Sequence, residues 1–151
     1  MIPCLRRFCI LLFVPIVLTL SACSSRPSFA DVSGVVLLDG KPMPDAIVQF
    51  IPEPDKNTEG STSSGKTDGE GRFRLRSEDK YARDGAVVGF HRVVVWDART
   101  AAPPRNRWSE GKRPDMPPSR IPERYIRAQK TPLRQEVKSG PQTITLEVAS
   151  K

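Results

Sequence analysis

The sequence predicts an all-β protein, an antiparallel sandwich of seven short strands, and three observations support this fold class. Apolar and polar residues alternate with a period of two in several short segments, as in strands with one buried face. Turn sequences rich in glycine, proline and aspartate separate these segments. No segment of helical length repeats apolar residues at the spacing of an α-helix. Short strands with regular turns between them are typical of a sandwich.

The seven predicted strands are residues 32–38, 46–51, 61–67, 72–76, 89–96, 133–137 and 143–148. Asp39-Gly40 ends the first strand, and Asp68-Gly69-Glu70-Gly71 forms a tight turn before the fourth, because glycine permits positive φ. The third strand is polar and is expected at a sheet edge. Ser139-Gly140-Pro141 joins the last two strands, as a hairpin requires. In the fifth strand His91 lies on the predicted core face with Val93 and Val95.

The N-terminal residues have the three parts of a secretory signal. Arg6 and Arg7 supply positive charge, residues 10–20 are mostly apolar, and Leu20-Ser21-Ala22-Cys23 ends the apolar run with small residues. The apolar run is shorter than the about 20 residues of a spanning helix. Because the last four residues resemble the lipobox of bacterial lipoproteins, we expect cleavage before Cys23 and acylation of that cysteine. The alternative is an ordinary signal peptide cut near Ala22 or Ala30, with Cys23 incidental.

Acylation of Cys23 would place the protein outside the cytoplasm on a bacterial membrane, since several acyl chains give stable anchoring. Ser24 follows the cysteine, and by resemblance to enterobacterial sorting this favours the outer membrane, with the domain on its periplasmic or surface face. Cys4 and Cys9 lie in the leader, so the mature domain has no thiol for a disulfide or a metal site. The predicted organisation is signal peptide 1–22, tether 23–30 and sandwich domain 31–149, with an insertion at 98–122.

The insertion is basic and rich in proline. Eleven Lys or Arg stand against four Asp or Glu between residues 98 and 138, in a chain of net charge +7. On an exported protein such a segment fits anionic lipid headgroups, an acidic polysaccharide, a wall polymer or an envelope protein, whereas the location disfavours nucleic acid. Trp108, among Arg105, Arg107 and Lys112, is the candidate ligand-binding aromatic. The alternatives are a solvated loop and an aromatic that packs back on the sandwich.

The sequence contains no recognisable catalytic group. His91 is the only histidine and is expected to be structural. A Cys-His dyad and a His-rich zinc site are therefore excluded. The turn at residues 68–71 lacks the successive oxygen ligands of a calcium loop. We expect no cofactor, no metal and no enzymatic activity.

Short motifs follow one another in a fixed order: Val-Ser-Gly-Val-Val at 32–36, Asp-Gly-Lys-Pro at 39–42, Thr-Asp-Gly-Glu-Gly-Arg-Phe at 67–73, Gly-Phe-His-Arg-Val-Val-Val at 89–95 and Ile-Pro-Glu-Arg-Tyr at 121–125. Together they resemble the carboxypeptidase-regulatory-like, transthyretin-like β-sandwich domains of small exported bacterial lipoproteins. His91 stands where that family usually has an aromatic residue. The resemblance implies a seven-stranded Greek-key sandwich with a mostly non-catalytic, accessory or adhesion-like role.

The sequence therefore predicts a membrane-anchored, non-enzymatic binding or structural module of the bacterial cell envelope. The alternative is a module that binds a glycan or an anionic wall polymer through the basic insertion.

Overall fold

The computed structural model describes residues 27–100 and 116–151, and within these ranges the chain is mostly β-strand, as predicted. The described part contains eleven strands, one single-turn helix and 3₁₀ turns at Pro54–Lys56 and Ala98–Thr100. The elements are β1 (Phe29–Ala30), β2 (Val32–Leu38), β3 (Lys41–Pro42), β4 (Ala46–Pro52), β5 (Ser63–Lys66), β6 (Arg72–Arg74), β7 (Arg76–Ser77), β8 (Ala86–Val87), β9 (Gly89–Asp97), α1 (Glu123–Ile126), β10 (Arg134–Val137) and β11 (Gln142–Val148).

Two sheets carry the long strands. The larger sheet has the order β10-β9-β4-β5-β7, and each neighbouring pair is antiparallel. The smaller sheet is centred on β2, which pairs with β11 along one edge and with β3 and β6 along the other. β1 and β8 form a separate two-stranded pair. Buried side chains of both sheets belong to one core, which includes Val32, Val36, Val48, Phe50, Val93, Val95, Ile144, Leu146 and Val148.

The strands predicted from alternation are present, but one of them is divided into two shorter strands. β2 has the predicted bounds, and β4 and β9 each extend one residue further than predicted. The predicted strand at 72–76 is divided, because β6 pairs with β2 in the smaller sheet whereas β7 pairs with β5 in the larger. Leu75 lies between them, fully buried, and its N–H donates to the carbonyl oxygen of Val32 at 2.9 Å. The alternation continues through this crossing, so the sequence gives no sign of it.

Three predictions about strand neighbours are wrong. β5 is not an edge strand, because it lies between β4 and β7. The last two strands do not form a hairpin, because β10 pairs with β9 and β11 pairs with β2 in the other sheet. The β2–β11 pair is parallel, which departs from the predicted antiparallel arrangement. A period of two identifies the buried face of a strand but not its neighbour, which explains these errors.

Gly34 in the middle of β2 is required by the close approach of the strands on both sides. A Cβ at this position would overlap the carbonyl oxygen of Ile144 in β11 and the ring of Phe73 in β6. Its backbone pairs with both of those residues in the sheet. The absence of a side chain therefore lets the Phe73 ring fill the space over β2.

The fold has two ends, which we define by the direction of β2 and β9. The proximal end holds the first residues of both strands, where the N–H of Val88 donates to the carbonyl oxygen of Ser28 at 2.8 Å. The distal end holds their last residues, where Leu38 and Arg120 line the same cavity. Nine residues in β9 separate the two ends by about 25 Å. Ser28 and Arg120, a described residue of the predicted insertion, therefore lie at opposite ends of the fold.

Residues at the end of the predicted tether and at the end of the predicted insertion pack with the sandwich. Phe29 and Ala30, which were expected in the tether, form β1 and pair with β8. Ile121, at the end of the predicted insertion, is 3% exposed and joins the core together with Tyr125 of α1. The Tyr125 hydroxyl oxygen accepts the N–H of Ala149 at 3.2 Å. Among the described residues, no helix is long and apolar enough to cross a membrane.

Candidate functional site

The most completely buried charge in the described chain is the carboxylate of Asp97. Its residue is fully buried at the distal end of β9, directly before the predicted insertion. Asp97 is in phase with Val93 and Val95, so the alternation of β9 directs its side chain inward. A carboxylate in this position destabilises the fold unless several donors meet it.

Two arginines supply those donors. Arg99 binds through Nη2 to Asp97 Oδ2 at 2.8 Å. Arg120 binds through Nε to Oδ2 at 2.7 Å and through Nη2 to Oδ1 at 2.9 Å, which is a two-point contact. The backbone N–H groups of both arginines also point to the carboxylate, at 3.2 and 3.3 Å. We call Asp97, Arg99 and Arg120 the carboxylate clamp.

The carboxyl group of Asp97 stays ionised. Burial raises the pKa of this carboxyl, but the hydrogen bonds from Arg120 and then from Arg99 outweigh burial and bring the pKa far below the ordinary value of 3.8. In return, the hydrogen bond to Asp97 raises the pKa of Arg99. An acid whose oxygens are saturated with guanidinium donors is not available as a proton carrier. The clamp is therefore suited to holding structure together.

The carboxylate clamp closes the base of the predicted insertion. Arg99 stands just before residues 101–115 and Arg120 just after them, so one carboxylate fixes both sides of that segment. Arg120 further donates through Nη2 to the carbonyl oxygen of Pro44 at 2.8 Å. The N–H of Ala98 donates to the carbonyl oxygen of Asp45, also at 2.8 Å. These contacts tie the base of the insertion to the turn before β4.

An open cavity lies beside the clamp at the distal end. Its volume is about 280 Å³, and its lining combines apolar and charged side chains. The lining residues are Leu38, Asp39, Lys41, Pro42, Met43 and Arg120. Asp39 accepts the N–H of Ser150 at 2.9 Å, and hydrogen bonding from the side chain and then from the backbone of Ser150 lowers the pKa of the Asp39 carboxyl. Arg120 is paired with Asp97, whereas Asp39 and Lys41 form no ion pair among the described residues.

A second buried carboxylate, Glu53, lies at the proximal end. It is 5% exposed and faces Arg134 Nε at 3.2 Å from Oε1 and Arg92 Nε at 3.6 Å from Oε2. Neither contact has hydrogen-bond geometry, so attraction here is mainly between charges. Arg92 and Arg134 are direct neighbours across the β9–β10 pair. Glu53 therefore lies between two arginines on adjacent strands, and Asp55 Oδ2 lies 3.7 Å from Nη2 of Arg92 as a second acidic partner.

His91 lies in the core at the proximal end, on the face that the sequence predicts. It is 1% exposed, its ring is 5.7 Å from that of Phe50, and Nδ1 is 3.1 Å from the carbonyl oxygen of Gly89. Nε2 has no hydrogen-bond partner among the described residues. Burial lowers the pKa of His91 below 6.5, partly offset by the Gly89 contact and the charge of Glu53. The histidine is therefore neutral at pH 7.

The candidate site residues predicted from the sequence, Cys23, Trp108, Arg105, Arg107 and Lys112, lie outside the described residues. The sequence analysis missed the clamp. A usable signal was present, because an aspartate in phase with the core face of a strand requires buried cationic partners. Arg99 is close to Asp97 in the sequence, whereas Arg120 lies 23 residues further along the chain.

Within residues 27–100 and 116–151, no group of three or more His, Cys, Asp or Glu side chains is arranged to hold a metal ion. Comparison with protein-family models, with curated proteins and with solved structures finds no match to this chain.

Proposed function

We propose that the protein is a membrane-anchored, non-enzymatic module of the bacterial cell envelope that presents a loop for binding or for a structural contact. The observation that carries this proposal is the placement of chain entry and insertion base at opposite ends of a rigid β fold. The N–H of Val88 fixes the chain at Ser28 on one end, and the carboxylate clamp fixes the insertion on the other. A domain that is tethered to a membrane at one end and carries a loop at the other acts as a spacer between the membrane and the loop.

The proposed anchor is the acylated Cys23. Ser28 is five residues after Cys23, and an extended chain covers at most about 18 Å over that distance. The proximal end of the domain would therefore remain close to the membrane that holds the lipid. The outer membrane is the proposed address, on the basis of Ser24.

The proposed fold is a transthyretin-like Greek-key sandwich. Counting β6 and β7 as one strand that bends at Leu75, and leaving aside the two-residue strands β1, β3 and β8, seven strands remain in two sheets over a shared core. This count agrees with the family that the sequence motifs resemble. An experimental structure of the domain in solution tests the connectivity.

A second candidate function is the binding of a glycan or an anionic wall polymer by the insertion. The position of its base favours this function over contact with headgroups of the anchoring membrane, because about 25 Å of β9 lies between the clamp and the proximal end. Trp108 would stack on a sugar ring, and Arg105, Arg107 and Lys112 would meet acidic groups.

The anchor is tested by Cys23→Ala in the full-length chain. We expect the wild-type protein to incorporate labelled palmitate and to sediment with membranes, and the variant to lose the label and become soluble. A Ser24→Ala variant is the control, since it keeps the acylated cysteine. A Cys23→Ala protein that remains membrane-bound would contradict the proposal.

The binding function is tested by replacing Arg105, Arg107 and Lys112 with glutamine in one variant and Trp108 with alanine in another. With alginate resin as an acidic polysaccharide probe, we expect retention of the wild-type protein to fall with added salt. The glutamine variant should elute early at all salt concentrations. Equal retention of wild type and both variants would exclude the insertion as the binding segment.

A further inference from the structure

Tyr81 is the most exposed large apolar side chain in the described part of the chain. It is 68% exposed, against 41% or less for Met116, Phe90 and Ile126. Tyr81 lies in the turn between β7 and β8. A single exposed apolar side chain is common on soluble domains, so a contact surface at Tyr81 depends on the residues around it.

The turn that carries Tyr81 is organised around the carboxylate of Asp79. Oδ1 accepts the N–H groups of Tyr81 and Ala82 at 2.9 and 3.0 Å, and Oδ2 accepts Nη2 of Arg83 at 2.8 Å. The Arg83 hydrogen bond is the largest of the contacts that lower the pKa of Asp79 to about 2, so the carboxylate stays ionised. The Tyr81 ring is therefore displayed from a fixed turn.

The turn packs against β1 at the proximal end. The guanidinium carbon of Arg83 lies 3.7 Å from the centre of the Phe29 ring and 5.9 Å from that of Tyr81. Lys80 Nζ lies 4.9 Å from the Tyr81 ring on the same turn. We call Phe29, Lys80, Tyr81 and Arg83 the aromatic–basic surface. Asp79 neutralises Arg83, which leaves the charge of Lys80 without an ion pair among the described residues.

This surface is close to the proposed anchor along the chain. Phe29 is six residues after Cys23, which is at most about 21 Å of extended chain. Tyrosine and lysine are the residue types that settle at the boundary between headgroups and acyl chains, the ring at the boundary and the ammonium group near phosphate.

We propose that the aromatic–basic surface docks on the bilayer that holds the lipid of Cys23, with Tyr81 and Lys80 in the headgroup region, an inference that rests on the proposed function. Docking fixes the direction of the domain, because β9 then points away from the membrane and carries the clamp outward. The proposed partner is a lipid bilayer, because the acylated Cys23 would keep the aromatic–basic surface within reach of the membrane.

The experiment uses the complete mature lipoprotein, acylated at Cys23, in vesicles of phosphatidylethanolamine and phosphatidylglycerol. No cysteine follows Cys23, so a single introduced cysteine can carry an environment-sensitive fluorophore. Asp84→Cys places it beside the aromatic–basic surface and leaves Tyr81 intact. Lys41→Cys in β3 is the matched control at the distal end. Headgroup-labelled quencher lipids report contact.

We expect strong quenching at residue 84, little at residue 41, and loss of the residue 84 quenching when Tyr81→Ser and Lys80→Ser are added. Vesicle flotation reports the anchor separately. Flotation with equal quenching at the two positions overturns the docking proposal while the anchor stands. Flotation with quenching at residue 84 that survives both serine substitutions also overturns it, because the tether alone then sets the orientation. Failure to float overturns the anchor and the docking together.

Discussion

Substitution of Asp97 by asparagine is the most direct test of the carboxylate clamp. The change keeps the size of the side chain, removes its negative charge and turns one acceptor oxygen into a donor that faces guanidinium groups. The three hydrogen bonds of 2.7 to 2.9 Å from Arg99 and Arg120 then lose their anionic acceptor, and those to the converted oxygen are broken. Breaking a buried ion pair from one side costs about 3 to 5 kcal/mol.

The expected loss for Asp97→Asn is at the lower end of that range, about 3 kcal/mol, because both arginines reach solvent and can be hydrated once released. Their side chains are 41% and 27% exposed. For a domain of this size, a loss of 3 kcal/mol lowers Tm by roughly 10 °C. Release of the insertion base should also speed cleavage between residues 101 and 115, where Arg105, Arg107 and Lys112 are trypsin sites.

Chemical unfolding and limited trypsin digestion measure these two effects. Asp45→Asn is the matched control, because Asp45 forms an ion pair with Lys66 at 2.7 Å close to the clamp but both side chains are at least half exposed. We expect the control to unfold almost as the wild type does. If Asp97→Asn were no more destabilising than Asp45→Asn, the clamp would not hold the insertion base.

Three further predictions concern buried groups, each measured by equilibrium unfolding. Thr67→Val should cost about 2 kcal/mol, because the buried Thr67 hydroxyl joins two backbone groups at 2.8 Å, and Thr67→Ser should restore most of the loss. Gly34→Ala should cost about 3 kcal/mol through overlap with the neighbouring strand, and a wild-type-like variant would disprove the close approach. Because burial lowers the pKa of His91, the unfolded chain binds a proton more readily, so stability is complete above pH 6.5 and falls as the pH drops below it. His91→Gln should remove this acid-dependent loss, and an unchanged pH profile would assign it to other groups.

The strands were largely predictable from the sequence because burial on one face leaves a period of two. β2 was predicted with its observed bounds, and the core face of β9 was predicted correctly. The division of 72–76 into β6 and β7 was not predictable, since Leu75 stays in phase with Phe73 while the chain changes sheets. The neighbours of β5, β10 and β11 were also missed, because pairing depends on contacts between distant segments.

The candidate sites were predictable to different degrees. Cys23 and Trp108 were identified from local motifs and lie outside the described residues, so both stay predictions. The partners of Asp97 could not be chosen from sequence alone, because Arg120 is 23 residues away and several other arginines lie closer. The sequence marks an unusual residue on a strand, whereas only the fold identifies its partners.

The parallel pairing of β2 with β11 has a consequence for the order in which the chain can fold. These strands lie about 110 residues apart, so the smaller sheet stays incomplete until β11 has been synthesised. Contacts of such long range make folding slow. If the chain is exported unfolded and then acylated, as proposed, this delay would keep β2 without its β11 partner until β11 has also crossed the membrane.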